Sequence, residues 1–380
     1  MREEPASSMD IHKEFTEWAV AQGVKINGIA AHKFPGKGLG IIAEKRHEAG
    51  DTVLTVPLSA LRTVRTVPKL ISKAIGKITV HGLLAAHLTL DTSPHRSTWR
   101  AVLPSKRDFE ESVPLMWHKD LQALLPQDAK SLLDNQNSKL TADWISVSTA
   151  FSDMGYEDYL YNWLIVNTRT FYFLVGKSKK PPPRDDCLAL SPFADYFNHT
   201  EEGCEVEFSS TGYRITTSQP IEKGAEIHIS YGAHSNDFLL AEYGFILEEN
   251  KWDQVKLDSY ILPRLSSLQK KELEDAGFLG NYILDKGEIC YRTEVAIRAL
   301  CLPPNRWERF VNGSDDGIGE HVKIQQELLH ILEAYKRDVL ATIRQLASIK
   351  VGLECQRDVL HRRWKQILTL LQNAIDRTRS

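Results

Sequence analysis

The chain has 380 residues, 42% of them hydrophobic, with 47 basic against 50 acidic side chains and a formal net charge of −3. That balance excludes a protein built mainly to coat nucleic acid, which would be basic overall. Five dispersed cysteines with no C-x-x-C pair give no cysteine-based zinc signature, and they suit a reducing compartment.

From Ile11 to Ala21, the spacing of Phe15, Trp18 and Ala19 predicts a short amphipathic helix. Two strand-like runs follow at 39–43 and 52–56. The polar turn Glu48-Ala49-Gly50-Asp51 between them predicts a hairpin or meander, ended by Pro57. Composition then turns helical over 69–90, 113–125 and 144–165, a block between two β-rich parts. The stretch 176–186 is polar and proline-rich, a loop with no means of packing. β character resumes at 205–208, 213–217 and 226–230.

Beyond about residue 250 the chain is mainly helical. Leu328, Leu332, Tyr335, Val339, Ile343 and Leu346 mark one face of a long helix. Gly352 interrupts it, and Leu360, Trp364, Ile367, Leu371 and Ile375 form a second stripe. From His321 onward the chain carries a net +5, leaving −8 for the rest. Arg362, Arg363 and Lys365 belong to this basic surplus, which would attract an acidic partner face if it lies on the surface. No apolar run reaches the length of a membrane span, about 18 residues. The acidic start of the chain does not resemble a secretory signal.

Three short segments concentrate groups with chemical potential. Gly36-Lys37-Gly38-Leu39-Gly40 fits neither a Rossmann fingerprint nor a Walker loop, but it lets backbone approach a ligand closely before a strand. Ser191-Pro192-Phe193-Ala194-Asp195-Tyr196-Phe197-Asn198-His199 sets an Asp and an adjacent Asn-His pair among apolar residues. Such a cluster is either a satisfied internal network or the seat of a polar ligand. In the third segment, a strand ends at Tyr231-Gly232, a polar loop follows, and a short apolar stretch closes with Tyr243-Gly244-Phe245. The tyrosines beside glycines suit either core packing or an aromatic-walled pocket. No set of residues has metal-ligand spacing, no nucleophile elbow is present, and paired-carboxylate hydrolysis lacks an opposing partner for Asp195.

In combination these segments resemble a SET-domain protein methyltransferase, of the Rubisco large-subunit lysine methyltransferase class. Asn162–Phe171 resembles the helix preceding the second SET part of that class, and Trp99 with Leu103-Pro104 resembles a feature of its insertion. The resemblance implies an α+β fold: a β-rich SET domain over 10–247, split by a helical insertion at about 68–160, then a mainly helical substrate-binding lobe over 248–380. It implies S-adenosyl-L-methionine as cofactor, with no metal. Lys37, Gly38 and Leu39 would contact the cofactor through backbone, Arg169 its carboxylate, and Asn198 and His199 its adenine and amino-acid portions. Asp195 would support that loop and Phe245 would pack near the adenine. Tyr231 would be the catalytic tyrosine beside the transferring methyl, while Phe171 and Tyr243 would line the lysine channel. The implied partner is a non-histone protein, such as a ribosomal protein or translation factor, met by a monomer in the cytoplasm or nucleus without direct nucleic-acid binding. A catalytically idle SET-like binding module and a protein-histidine methyltransferase stay open as alternatives.

Overall fold

The structure, a computed structural model, describes residues 10–35, 38–174, 183, 186–286 and 288–380. The chain forms two compact units. The first comprises 1–109 and 135–233, and the second comprises 110–134 and 234–380.

The first unit, among its described residues, carries ten strands: β1 (Lys25–Ile26), β2 (Ile29–Phe34), β3 (Gly38–Ala43), β4 (Thr52–Pro57), β5 (Arg62–Thr63), β6 (Thr170–Tyr172), β7 (Leu188–Leu190), β8 (Asn198–Ser209), β9 (Gly212–Thr216) and β10 (Glu226–Ile229). Seven of them form one sheet in the order β1-β4-β9-β8-β10-β3-β2, and three form another in the order β5-β7-β6. The expected pairing of the 39–43 and 52–56 runs does not occur. β3 lies between β2 and β10, and β4 between β1 and β9. The Glu48–Asp51 turn is present, with the Glu48 amide bonded to Asp51 Oδ2 at 2.9 Å, but its flanking strands go to different neighbours. A turn signal is local, whereas the partner of each apolar strand face is chosen by burial elsewhere in the sheet.

β10 pairs with β8 in parallel, and the register shifts between His228↔Asn198 and Ile229↔Cys204. The intervening residues of β8 therefore bulge away from β10, and Asn198-His199 is aimed separately from the rest of the strand. Ile41, Val53, Val56, Ile215, Ile227 and Ile229 are buried on this framework. The N-terminal helix, Asp10–Ala21, packs Phe15 edge-on against Tyr196, and His12 Nδ1 lies 2.7 Å from the Tyr196 hydroxyl. The helical block is more broken than its composition suggests. Lys69–Ile75 stops at Gly76, which takes φ 74°, before Val80–Leu90 begins. The expected 144–165 helix is two helices, Gln127–Ala150 and Tyr156–Arg169. The 113–125 stretch holds only the short helix Lys119–Gln122 and a 3-10 turn. Most of the proline-rich stretch lies outside the described residues.

The second unit is helical around one small sheet, β11 (Gln254–Lys256) with β12 (Ile283–Asp285), which the sequence patterning did not reveal. Both predicted stripes are present. The helix His321–Ser348 buries Leu332, Tyr335, Val339 and Leu346, and Glu354–Arg379 buries Leu360, Trp364, Ile367, Leu371 and Ile375. The units divide at 233/234, upstream of the expected boundary at 247/248. Leu240 and Ala241 of the helix Asn236–Tyr243 are buried in the same core cluster as Val255, Leu332 and Leu371. The segment 110–134 joins that core through Trp117, Leu121 and Leu133. Arg363, counted above as a candidate surface charge, is instead fully buried, held by Asp237 and Asp253.

Candidate active site

β3 begins beside the glycine turn. Lys37 lies outside the described residues, whereas Gly38 adopts φ 79°, a left-handed conformation that favours glycine. A Cβ added at Gly38 would meet nothing within 4 Å, so this backbone is open to a ligand. Gly40 is the opposite case. A Cβ there would stand 2.7 Å from Asn198 Nδ2 and 2.8 Å from Glu226 Oε1. The space it leaves lets Asn198 Nδ2 donate to the Leu39 carbonyl at 3.0 Å and to Glu226 Oε1 at 2.8 Å. The Asn198 amide thus ties β3, β8 and β10 together.

His199 follows on the buried side of β8. Its Nδ1 accepts from the Tyr231 amide at 3.0 Å, and the two rings stack with centroids 5.0 Å apart. The Tyr231 hydroxyl donates to the Phe197 carbonyl at 2.7 Å. Burial pushes the Tyr231 phenol up to about 12, with Arg169 opposing and Asp195 adding to the shift. At neutral pH it therefore keeps its proton. Phe193, wholly buried, takes φ 68°, a strained position for a residue with a side chain, at the head of the 3-10 turn Ala194–Tyr196.

Arg169 ends the helix Tyr156–Arg169 and donates through Nη1 to the Asp195 carbonyl at 2.8 Å. Its Nε is buried with no hydrogen-bond partner. Burial raises the Asp195 carboxyl to about 6 against the pull of Arg169. The Trp99 indole N–H also favours the charged carboxyl, yet it completes no hydrogen bond. Over the Trp99 ring stands the Arg62 guanidinium, 5.3 Å from the ring centroid and paired with Asp91 at 2.8 Å.

Six of the sequence-predicted residues are thus brought together in pairs by hydrogen bonds: Leu39 with Asn198, His199 with Tyr231, and Asp195 with Arg169. Phe171, on β6, packs against the Tyr213 ring at 5.6 Å and takes no part in these contacts. Tyr243 and Phe245 belong to the second unit. There Tyr243 ends the helix Asn236–Tyr243, whose N-cap is Ser235, and its ring lies 6.2 Å from that of Phe245. Glu226 and Trp99 are contributors whose site roles sequence reasoning missed. Glu226 sits in an alternating strand where a carboxylate normally faces water, so its burial beside Asn198 had no local signal.

These contacts define a β-rich core, with its polar site built where β8 and β10 pair in parallel. The chain belongs to the SET-domain family, whose model matches residues 38–232. A second family model, the ribosomal lysine N-methyltransferase 2 C-terminal domain, matches residues 253–377. The chain is 25% identical to the ribosomal lysine N-methyltransferase set11 of Schizosaccharomyces pombe, over 83% of this chain and 85% of that protein. It is 26% identical to SET domain-containing protein 4 of Mus musculus, over 89% and 84%. Similarity to the actin-histidine N-methyltransferase of Xenopus tropicalis is 25%, over 70% of this chain but 49% of that protein. Among solved structures, Rubisco LSMT bound to sinefungin and monomethyllysine shares the fold, with a TM-score of 0.67 at 15% identity, covering 97% of this chain and 91% of that one. Among the described residues, no helix is long and apolar enough to cross a membrane.

Proposed function

We propose that this chain is an S-adenosylmethionine-dependent protein-lysine methyltransferase acting on a non-histone protein, a ribosomal protein foremost. The observation that carries the reading is the double anchorage of Tyr231. Its amide is bonded to His199 and its hydroxyl to the Phe197 carbonyl, which fixes a protonated phenol within a SET-family core. The match of 253–377 to a ribosomal lysine methyltransferase C-terminal domain supports the choice of substrate class. In this reading residues 10–247 make the SET part, with the insertion at about 68–160, and 248–380 recognise the substrate. The enzyme works as a cytoplasmic monomer.

The residues present fit the cofactor. The buried, orphaned Nε of Arg169 is a donor waiting for an acceptor, as a carboxylate would supply, and Gly38 leaves its backbone open. Arg169, the Gly38-Leu39 backbone and Asn198-His199 would hold the group, with Lys37 and Phe245 completing its surroundings. When bound, it supplies a methyl group on a cationic sulfonium.

The chain's own part is positioning and control of protons. A lysine amine, with an ordinary pKa of about 10.4, must be neutral to attack. Tyr231 keeps its proton and so is no general base; water accepts the ammonium proton. The phenolic oxygen, with its hydrogen committed to Phe197, offers lone pairs that orient the neutral amine. Tyr243 and Phe171 would line the channel that strips water from the amine, and desolvation favours its neutral form. Asn198 has a second part beside meeting the ligand. Its side-chain amide is committed to Leu39 and Glu226, so it holds the β3 backbone in place for the ligand.

The test is to incubate the full chain with methyl-labelled cofactor and ribosomal proteins from cells deficient in methyltransferases, then locate the label by tandem mass spectrometry. Trimethyl-, dimethyl- or monomethyl-lysine supports the reading. Methyl-histidine would replace lysine by histidine as the target, the alternative that the actin-histidine relatives favour. No label, together with no calorimetric binding of the cofactor, would leave an idle binding module.

A further inference from the structure

The second unit contains a buried polar clasp. Arg363, fully buried in the helix Glu354–Arg379, donates from Nε to Asp237 Oδ1 at 2.5 Å and from Nη1 to Asp253 Oδ2 at 2.6 Å. One turn on, Gln366 Nε2 donates to the Leu247 carbonyl at 2.8 Å, and its Oε1 accepts from Asn236 Nδ2 at 3.0 Å. Asn236 closes the set. Its amide donates to Asp253 Oδ1, its Nδ2 donates to the Leu247 carbonyl, and its Oδ1 accepts from the Leu247 amide, each at 3.0 Å.

Such a set is a costly way merely to glue a helix down, because desolvating an ion pair consumes much of what the pairing returns. What it supplies is defined geometry. The grip falls on Asn236 and Asp237, the first two residues of the helix Asn236–Tyr243, and on Leu247 beyond its end. That helix spans only about 12 Å, so clamping both flanks sets where Tyr243 stands. A groove of about 560 Å³ opens beside Gln366, lined also by Lys365, Thr369 and Asn373. It leaves room for a side-chain change at that position.

We propose that Arg363 and Gln366 are positioning residues for methyl transfer: they hold the Tyr243-bearing segment 235–247 in the geometry the reaction uses. This rests on the methyltransferase reading and on the placing of Tyr243 in its channel.

The experiment compares the full chain with Gln366→Leu and Arg363→Lys, using hydrogen–deuterium exchange over 235–247, cofactor calorimetry, thermal melting and methyl-transfer kinetics. In Gln366→Leu the exchange rises across 235–247 and kcat falls about 10-fold, as misplacement far from the chemistry can cause. Folding is retained and cofactor affinity changes less than kcat. Arg363→Lys keeps the charge without the planar fork and lies between the two. Unchanged exchange overturns the proposal, as does raised exchange with unchanged kcat. If the wild-type chain transfers no methyl group, the methyltransferase reading fails, and with it the catalytic half of the proposal. The exchange measurement still decides whether the clasp holds the segment.

Discussion

The Tyr231 amide donates to His199 Nδ1 at 3.0 Å while the two rings stack with centroids 5.0 Å apart. Two segments more than thirty residues apart are thereby joined by one bond and one aromatic face. The bond uses the imidazole as an acceptor, so the neutral ring is the form that holds it. The arrangement separates what the Tyr231 backbone does from what its hydroxyl does.

Tyr231→Phe removes the hydroxyl alone. The amide bond to His199 and the ring stack persist, so cofactor affinity stays near wild type. kcat falls by about 10²-fold, the scale for losing one oriented polar group at a reaction centre. Calorimetry with the cofactor and single-turnover methyl transfer would separate the two effects. A variant with full kcat would show that the phenol orients nothing.

Gly40→Ala tests the crossing of β3 with the Asn198 amide. The added methyl would sit 2.7 Å from Asn198 Nδ2, so one of its two hydrogen bonds has to give. Overpacking of this kind costs about 1–3 kcal/mol. Denaturant unfolding should show that loss, together with weakened cofactor binding, because Asn198 holds the Leu39 backbone. A stable variant that binds the cofactor normally would mean that the crossing has slack.

Legibility in the sequence followed the range of the forces involved. The stripes from Leu328 and Leu360 were legible because helix periodicity is local, and the structure buries those faces. Asp195, Asn198, His199 and Tyr231 stood out because polar side chains in an apolar stretch need partners. Which partners they find is non-local, and Glu226 became visible only once β8 lay beside β10. The same limit hid the separation of β3 from β4. Arg363 shows it most clearly: within the run Arg362-Arg363 it looks like surface charge, and only Asp237 and Asp253, more than a hundred positions away, reveal it as buried.

Asp195 and Asp237 give the protein a pH signature. Burial raises each carboxyl from 3.8 to about 6, against Arg169 in one case and Arg363 in the other. Between about pH 4 and 6 the folded chain keeps protons that the unfolded chain has released, so their contribution to stability falls as pH rises through that window. Asp91 runs the other way. Burial opposes its ionisation, but Ser93 and the guanidinium groups of Arg62 and Arg96 together lower it to about 2, so its stabilisation is lost as pH falls from about 4. Asp195→Asn should therefore flatten part of the decline seen in urea unfolding at pH 4, 5, 6 and 7. An unaltered slope would show that the Asp195 carboxyl holds no proton in that range.

The stability of the second unit depends on how its buried charge is paired. Arg363→Ala would leave Asp237 and Asp253 facing each other without their cation. Breaking a buried pair from one side costs about 3–5 kcal/mol, since the remaining charge is left unpaired. Replacing all three groups together, as Arg363→Met with Asp237→Asn and Asp253→Asn, removes that penalty and should recover most of the lost stability. Thermal and denaturant unfolding of the single and triple variants gives the comparison. If the single variant were as stable as wild type, these carboxylates would have to shed their charge by protonation, as the raised Asp237 carboxyl allows, or meet water despite their burial. If the triple variant were no better than the single one, the cost would lie in the hydrogen-bond geometry at Asn236 and Gln366, not in unpaired charge.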